Sequence, residues 1–128
     1  MDGDTLRLAE SPQAQPVKIR LADIDTPERD QPYGREATKL LARLAYGRTL
    51  CATTITVDRY GRTVAHLYDG DEWINRQLVV AGAAWVYRKY AKPPYRKPLL
   101  EAEAAAQNAD RGLWKAASPV PPWEWRRR

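Results

Sequence analysis

Three acidic clusters carry the residue types that could do chemistry in this chain: Asp2-Gly3-Asp4-Thr5, Asp23-Ile24-Asp25-Thr26-Pro27-Glu28 and Asp58-Arg59-Tyr60-Gly61-Arg62. Carboxylate and carbonyl oxygens are hard donors, suited to Ca²⁺ or Mg²⁺ and not to zinc or copper. Arginine is the second ingredient. Arg20 lies five residues before Asp25, and Arg62 directly follows Tyr60-Gly61. A guanidinium is planar, permanently charged and grips phosphate oxygens bidentately, so two of them beside a carboxylate metal site make a phosphate clamp. The same residues also admit a plainer reading. Asp-Gly is a common turn, Asp-Thr-Pro-Glu is loop and capping chemistry, and each arginine can simply pair with an aspartate at the surface.

The clusters need elements to bring them together. Thr5-Leu6-Arg7-Leu8 alternates as a strand, and so does Val17-Lys18-Ile19-Arg20-Leu21. A turn over residues 10–16 makes them a hairpin, on which the first two clusters converge. Residues 25–32 read as a loop, because Pro27 and Pro32 resist regular structure. Over residues 34–46 the period becomes helical, with Ala37, Leu40, Leu41, Leu44 and Ala45 on one side and Gly47 as the stop. Residues 49–57 and 62–68 read as strands joined through Tyr60-Gly61, and Asp69-Gly70-Asp71 as a further hairpin turn. Asn75 is placed to cap a short helix over 76–81, stopped by Gly82. A short strand over 85–87, a loop over 92–98 and a helix over 99–110 follow. Short strands with one helix after the third and more helix at the end fit a small OB-like barrel, a fold whose strand faces and loops bind nucleic acid.

The chain has 128 residues, enough for one domain with about 6,900 Å² of folded surface and a real core. Lys plus Arg is 21 and Asp plus Glu is 16, a net charge of +5. Such a balance suits an anionic partner, nucleic acid first, although it is also ordinary solubilising charge. The single cysteine, Cys51, excludes an internal disulfide and a Cys-cluster zinc site, and its alternating surroundings read as packing. No run of 18 apolar residues is present to span a membrane, and no signal peptide is visible at the start. His66 lies on an alternating strand with no metal partner and reads as structural. Leu40, Leu41, Leu44, Leu78, Val79 and Leu113 are expected in the core, and Trp114, Trp123 and Trp125 to hold the C-terminal segment against the barrel. Arg126 to Arg128 read as a solvated tail that can add nonspecific phosphate affinity.

The three clusters, in order and at compatible spacing, resemble the staphylococcal nuclease (thermonuclease) family. So do Tyr33-Gly34-Arg35-Glu36-Ala37, the stretch from Asn75 through Leu78, Val79 and Gly82 to Trp85, Glu101-Ala102-Glu103 and Gly112-Leu113-Trp114. The ending Pro121-Pro122-Trp123-Glu124-Trp125-Arg126 is similar to that of many bacterial members. The resemblance covers nearly the whole chain. It implies an α+β, mainly β fold: a five-stranded OB barrel with about three helices over residues 1–118, and a Pro-, Trp- and Arg-rich tail over 119–128. It implies a calcium-dependent endonuclease that hydrolyses DNA and RNA and leaves 3′-phosphate ends. Carried over by motif, Asp4 and Asp25 would give carboxylate oxygens to Ca²⁺ and Thr26 its backbone carbonyl. Glu28 would orient or deprotonate the attacking water, Arg20 and Arg62 would hold the scissile phosphate, and Asp2 would be an outer acidic group. Tyr60, Tyr87 and Tyr90 would stack on a base or bond a phosphate, with Arg59 lining the same groove; Tyr87 is equally a core aromatic. Stacking with backbone contact favours single-stranded or breathing regions and gives little sequence choice.

Two departures from the family pattern carry expectations of their own. The loop over 29–33 is shorter than its counterpart in the staphylococcal enzyme. Only Met1 precedes Asp2, where the family has a strand, so an open barrel edge capable of self-association is expected. The family's habits also imply a secreted or periplasmic protein in a bacterium. The competing readings are a non-catalytic OB module that binds nucleic acid, and an inactive, N-terminally clipped remnant. Against the binding module, three carboxylates facing a polyanion repel it unless a cation sits between.

Overall fold

The computed structural model describes residues 3–9, 11 and 13–128. The expectation for Asp2 lies outside these residues. Strand β1 (Thr5–Leu8) turns back on β2 (Val17–Leu21) as an antiparallel hairpin in which Thr5 faces Arg20 and Leu8 faces Val17. β4 (Cys51–Val57) and β5 (Thr63–Asp69) form a second antiparallel pair with an irregularity between Thr54 and Thr56. β2 joins β5 in parallel, with Arg20 beside Val64. The short β6 (Glu72–Trp73) pairs with β5, so the main sheet has five strands in the order β1-β2-β5-β4, with β6 on β5. A separate two-stranded ribbon pairs β3 (Ile24–Asp25) with β7 (Trp85–Val86).

The class is α+β, as expected, but the sheet is not closed. β1 and β4 stand at its two ends, and among the described residues no pairing joins them. All seven residues of β4 are exposed, including Ile55 and Val57 at 48% and 61%. The total accessible surface of 7881 Å² exceeds the roughly 6,900 Å² that the size predicts, in keeping with an unpartnered sheet end. Cys51 is exposed on the same strand, so it does not pack as its alternating surroundings suggest.

Three helices carry the core. α1 (Gly34–Ala45) buries Ala37, Leu41 and Ala45, the face its spacing marks out, while Leu40 and Leu44 pack at its margin. α2 (Ile74–Val80) buries Ile74, Leu78 and Val79. Asn75 does not cap it, since Trp73 is the flanking residue. Its buried amide instead accepts from the backbone N–H of Leu67 at 3.0 Å and donates to the carbonyl of Ala22 at 3.0 Å, fastening β5 to the turn after β2. α3 (Arg96–Asn108) begins before Leu99 because Pro98 falls in its first turn, where no intrahelical N–H donor is required. A 3₁₀ turn (Gly112–Lys115) and a four-residue helix α4 (Pro122–Trp125) end the chain. Trp114 meets Trp85 edge-on with ring centroids 4.4 Å apart. Among the described residues no helix is long and apolar enough to cross a membrane.

Candidate active site

The β1–β2 hairpin brings the first two acidic clusters together. The Asp4 carbonyl accepts from the N–H of Leu21 at 2.8 Å, and Asp4 Oδ2 accepts from the N–H of Thr26 at 3.0 Å. Asp23 turns the chain from β2 into β3 with a left-handed φ of 66°. That turn delivers Asp25 to the same point. Arg20 Nη2 lies 3.6 Å from Asp4 Oδ2 and 3.5 Å from Asp25 Oδ1, distances for charge contact and not for hydrogen bonds. Arg20 Nη1 is anchored on the carbonyls of Leu21 and Ile24, the latter at 2.8 Å. Both carboxylates are buried, Asp25 completely.

Burial of two like charges drives their proton affinities apart. Burial, with the Asp4 charge adding to it, pushes the Asp25 carboxyl up to about 6, against the pull of Arg126 and Arg20. Burial also opposes ionisation of Asp4, but the Arg20 charge and the hydrogen bond from the Thr26 N–H outweigh it and hold that carboxyl below its ordinary value.

Glu28 sits on the loop between β3 and α1. Its N–H donates to Gln31 Oε1 at 3.0 Å, and its carbonyl accepts from the N–H of Gln31 at 2.9 Å. Gly34 is essential to this arrangement. A Cβ there would come within 1.8 Å of the Glu28 carbonyl oxygen, so only glycine lets the loop lie on the start of α1.

Arg62 reaches the site from the turn between β4 and β5. Asp58 Oδ1 accepts from the N–H groups of Tyr60 and Arg62 at 2.9 and 3.0 Å, and Asp58 Oδ2 from Arg62 Nε at 2.8 Å. The ion pair of the plainer reading is therefore real, but it uses Nε and leaves the outer edge of the guanidinium pointing onward. Nη1 stands 3.4 Å from Thr5 Oγ1, which in turn donates to Asp4 Oδ1 at 3.3 Å. Slight desolvation is outweighed by these hydrogen bonds and the Arg62 charge, so the Asp58 carboxyl is held below its ordinary value. Tyr60 stands exposed on the same turn, with the Arg59 and Arg62 guanidinium carbons 5.0 and 5.6 Å from its ring centre. Tyr87 follows β7, its N–H donating to the Asp23 carbonyl at 2.9 Å, and its ring meets Tyr90 edge-on at 4.9 Å.

The structure thus brings Asp4, Arg20, Asp25, Thr26 and Glu28 to one corner, with Arg62 one hydrogen-bonded link away. The tyrosines flank it on two loops. Arg126 departs from its reading as a solvated tail. Its Nη2 lies 2.7 Å from Asp25 Oδ2, and its Nη1 2.6 Å from Glu28 Oε1 and 3.2 Å from Asp25 Oδ1. Glu103 is a further positioning residue, outside the candidate set that the sequence marks out. It is buried on α3, accepts from the N–H of Val86 at 2.7 Å and binds Arg88, which fixes β7 and so β3 beside it. A lone Glu among Leu99, Ala102 and Ala106 on a helix face was the available signal. His66 is structural: buried, stacked on Tyr95 at 3.7 Å, accepting from Trp73 Nε1 at 3.1 Å and facing Asp23 at 3.2 Å.

Among the described residues no three His, Cys, Asp or Glu side chains gather as a ready-made metal cluster. Asp4 and Asp25 are a pair, and their donor chemistry fits a hard cation together with the Thr26 carbonyl. Thr26 Oγ1 is buried there with no hydrogen-bond partner, an unsatisfied oxygen beside two carboxylates.

Known proteins similar to this chain include several nucleases. The chain is 46% identical to an Escherichia coli protein described as an uncharacterized endonuclease, over 129 residues that cover all of this chain and 81% of that one. It is 37% identical to a micrococcal nuclease of Shigella flexneri, covering 99% of this chain and 76% of the relative. A probable staphylococcal-like nuclease of Oryza sativa is 40% identical across 89% of this chain and 34% of its own length. The profile described as staphylococcal nuclease homologue matches residues 18–116, a span that holds Arg20, Asp25, Thr26, Glu28 and Arg62, and on these grounds the chain belongs to the staphylococcal nuclease family.

Proposed function

We propose that the protein is a calcium-dependent nuclease that hydrolyses phosphodiester bonds of DNA and RNA and leaves 3′-phosphate ends. The observation that carries the reading is the meeting of Asp4, Arg20 and Asp25 within 3.6 Å, with Glu28 sharing a guanidinium with Asp25. The nuclease relatives add support. Asp4, Asp25 and the Thr26 carbonyl would hold Ca²⁺, which when bound supplies a positive charge for a phosphate oxygen as negative charge builds. Arg20 and Arg62 approach from two sides and would hold the phosphate by charge-assisted hydrogen bonds that strengthen in the pentacoordinate state. Glu28 would accept the proton of the attacking water. Tyr60 and Tyr90, both more than half exposed, offer stacking faces for unpaired bases, with Arg59 beside Tyr60. A pure binding module has no use for three carboxylates in a phosphate groove.

The test is digestion of single-stranded DNA and RNA with Ca²⁺ and with excess chelator, for the parent and for Glu28→Gln. The expected result is calcium-dependent cleavage that the amide lowers by about 10²–10⁴-fold. Cleavage that is undiminished in chelator, or within about threefold of the parent for Glu28→Gln, would overturn the roles of Asp4 and Asp25 or of Glu28 respectively.

We further infer that the sheet is an OB barrel with its seam at β1 and β4, and that β4 can pair with a second copy of the chain. The full exposure of β4 supports this, because an unpaired strand edge invites another strand. Sedimentation velocity across a concentration series should show reversible association; a concentration-independent monomer would sink the idea.

A further inference from the structure

The C-terminal segment does not hang in solvent. The Val120 carbonyl accepts from Gln31 Nε2 at 2.5 Å, on the loop that carries Glu28. Pro122 is buried and opens α4. Trp123 lies flat on Tyr87, with ring centroids 5.2 Å apart and planes 12° apart, and meets Trp85 edge-on at 5.7 Å. Trp125 Nε1 donates to Asp30 Oδ1 at 3.3 Å. Arg126 then forks onto Asp25 and Glu28.

We propose that residues 120–126 are an autoinhibitory arm: Arg126 supplies the positive charge that the carboxylates otherwise take from a divalent cation, Trp123 occupies the face of Tyr87 on which a base would stack, and arm and cation exclude each other. This rests on the nuclease reading of the same site.

Both oxygens of Asp25 are engaged by Arg126, at 3.2 and 2.7 Å, and Oδ1 also faces Arg20 at 3.5 Å. A hard cation needs a carboxylate oxygen at about 2.3–2.6 Å, where a guanidinium nitrogen already bonded to that oxygen is in the way. Glu28 Oε1 likewise accepts from Arg126, and a carboxylate held in a charge-assisted hydrogen bond is not free to take a proton from water. The arm is tethered to the body it covers, so its effective concentration is high and a cation must compete with it at every binding event. Asp25 is fully buried beside Asp4, and Arg20 alone is one positive charge for two carboxylates, which gives the arm a reason to stay seated when no cation is present.

The test is isothermal titration of Ca²⁺ into the metal-free parent protein, into Arg126→Gln and into Arg127→Gln. The last removes the same charge from an exposed neighbour. Arg126→Gln should bind Ca²⁺ about tenfold more tightly or better, the equilibrium equivalent of one charge-assisted hydrogen bond lost by the competitor. Arg127→Gln should stay within about twofold of the parent, as a screened surface charge does. In the parent, Ca²⁺ with a short thymidine oligonucleotide should speed amide exchange at Glu124 and Trp125. Equal or weaker Ca²⁺ binding by Arg126→Gln overturns the arm while leaving the nuclease reading intact, and so does an equal gain in Arg127→Gln. Failure of all three proteins to bind Ca²⁺ overturns the nuclease reading and the arm with it.

Discussion

Arg20 and Arg62 both pair with aspartate, yet the two pairs are built differently. Arg20 is 14% exposed and holds two buried carboxylates, one from the turn before β1 and one from β3. Arg62 and its partner Asp58 are 26% and 20% exposed and sit in one turn, four residues apart. The first pair is a product of the tertiary fold, and removing either side leaves charge stranded in the interior. The second is a product of local sequence, and solvent can replace either partner. The difference separates two situations that the residue types alone do not: Arg20 stabilises the buried corner, whereas Arg62 keeps an outer edge that a ligand can meet.

The largest expected effect tests the buried side. Arg20→Gln should cost about 3–5 kcal/mol of stability, as breaking a buried ion pair does, read as a lower urea midpoint with the slope unchanged. A loss below about 1 kcal/mol would mean that Asp4 and Asp25 do not depend on it. Next comes the exposed side. Arg62→Lys should change stability by less than about 1 kcal/mol, yet lower turnover by about 10²–10³-fold, because an ammonium cannot reproduce the fork on a phosphate. Equal losses of stability in both variants would erase the comparison.

The smallest effect concerns pH. Asp58 has its proton affinity lowered on folding, so its contribution is present above the unfolded value of 3.8 and is lost as pH falls through the folded one. Asp58→Asn should therefore be less stable than the parent at neutral pH, with the gap closing only in acid below about pH 4. A pH-independent gap between the two proteins would show that the Asp58 charge contributes nothing and that only its turn geometry matters.

The same contrast explains what the sequence made legible. The Asp58 turn, the β1–β2 hairpin and α1 are local, so Asx geometry, alternation and helical spacing announce them. Arg20, Asp25 and Glu28 were readable as a group because β2, β3 and the loop that follows carry them in one short stretch of chain. Arg126 was not, because its contacts with Glu28 and Asp25 span 98 and 101 residues, whereas the acid near it in sequence is Glu124. Asn75 misled for a related reason. Asparagine is a good helix cap, and only the fold reveals that its amide is already engaged by Leu67 and Ala22. Whether the sheet closes depends on whether β1 meets β4, and strand patterning does not report that pairing.

The absent side chain at Gly34 ties the Glu28 loop to the core by a rigid linkage. The Glu28 carbonyl rests where a methyl group would stand at the head of α1, and the same buried face of that helix is continued by Ala37, Leu41 and Ala45. A sideways shift of the helix must therefore carry the loop with it. If the loop carries the water-activating carboxylate, the buried face of α1 is a tuning surface for turnover. Directed evolution for faster or slower cleavage should then return substitutions at Leu41 and its neighbours, remote from every charged group in the site, alongside changes among the ligands themselves.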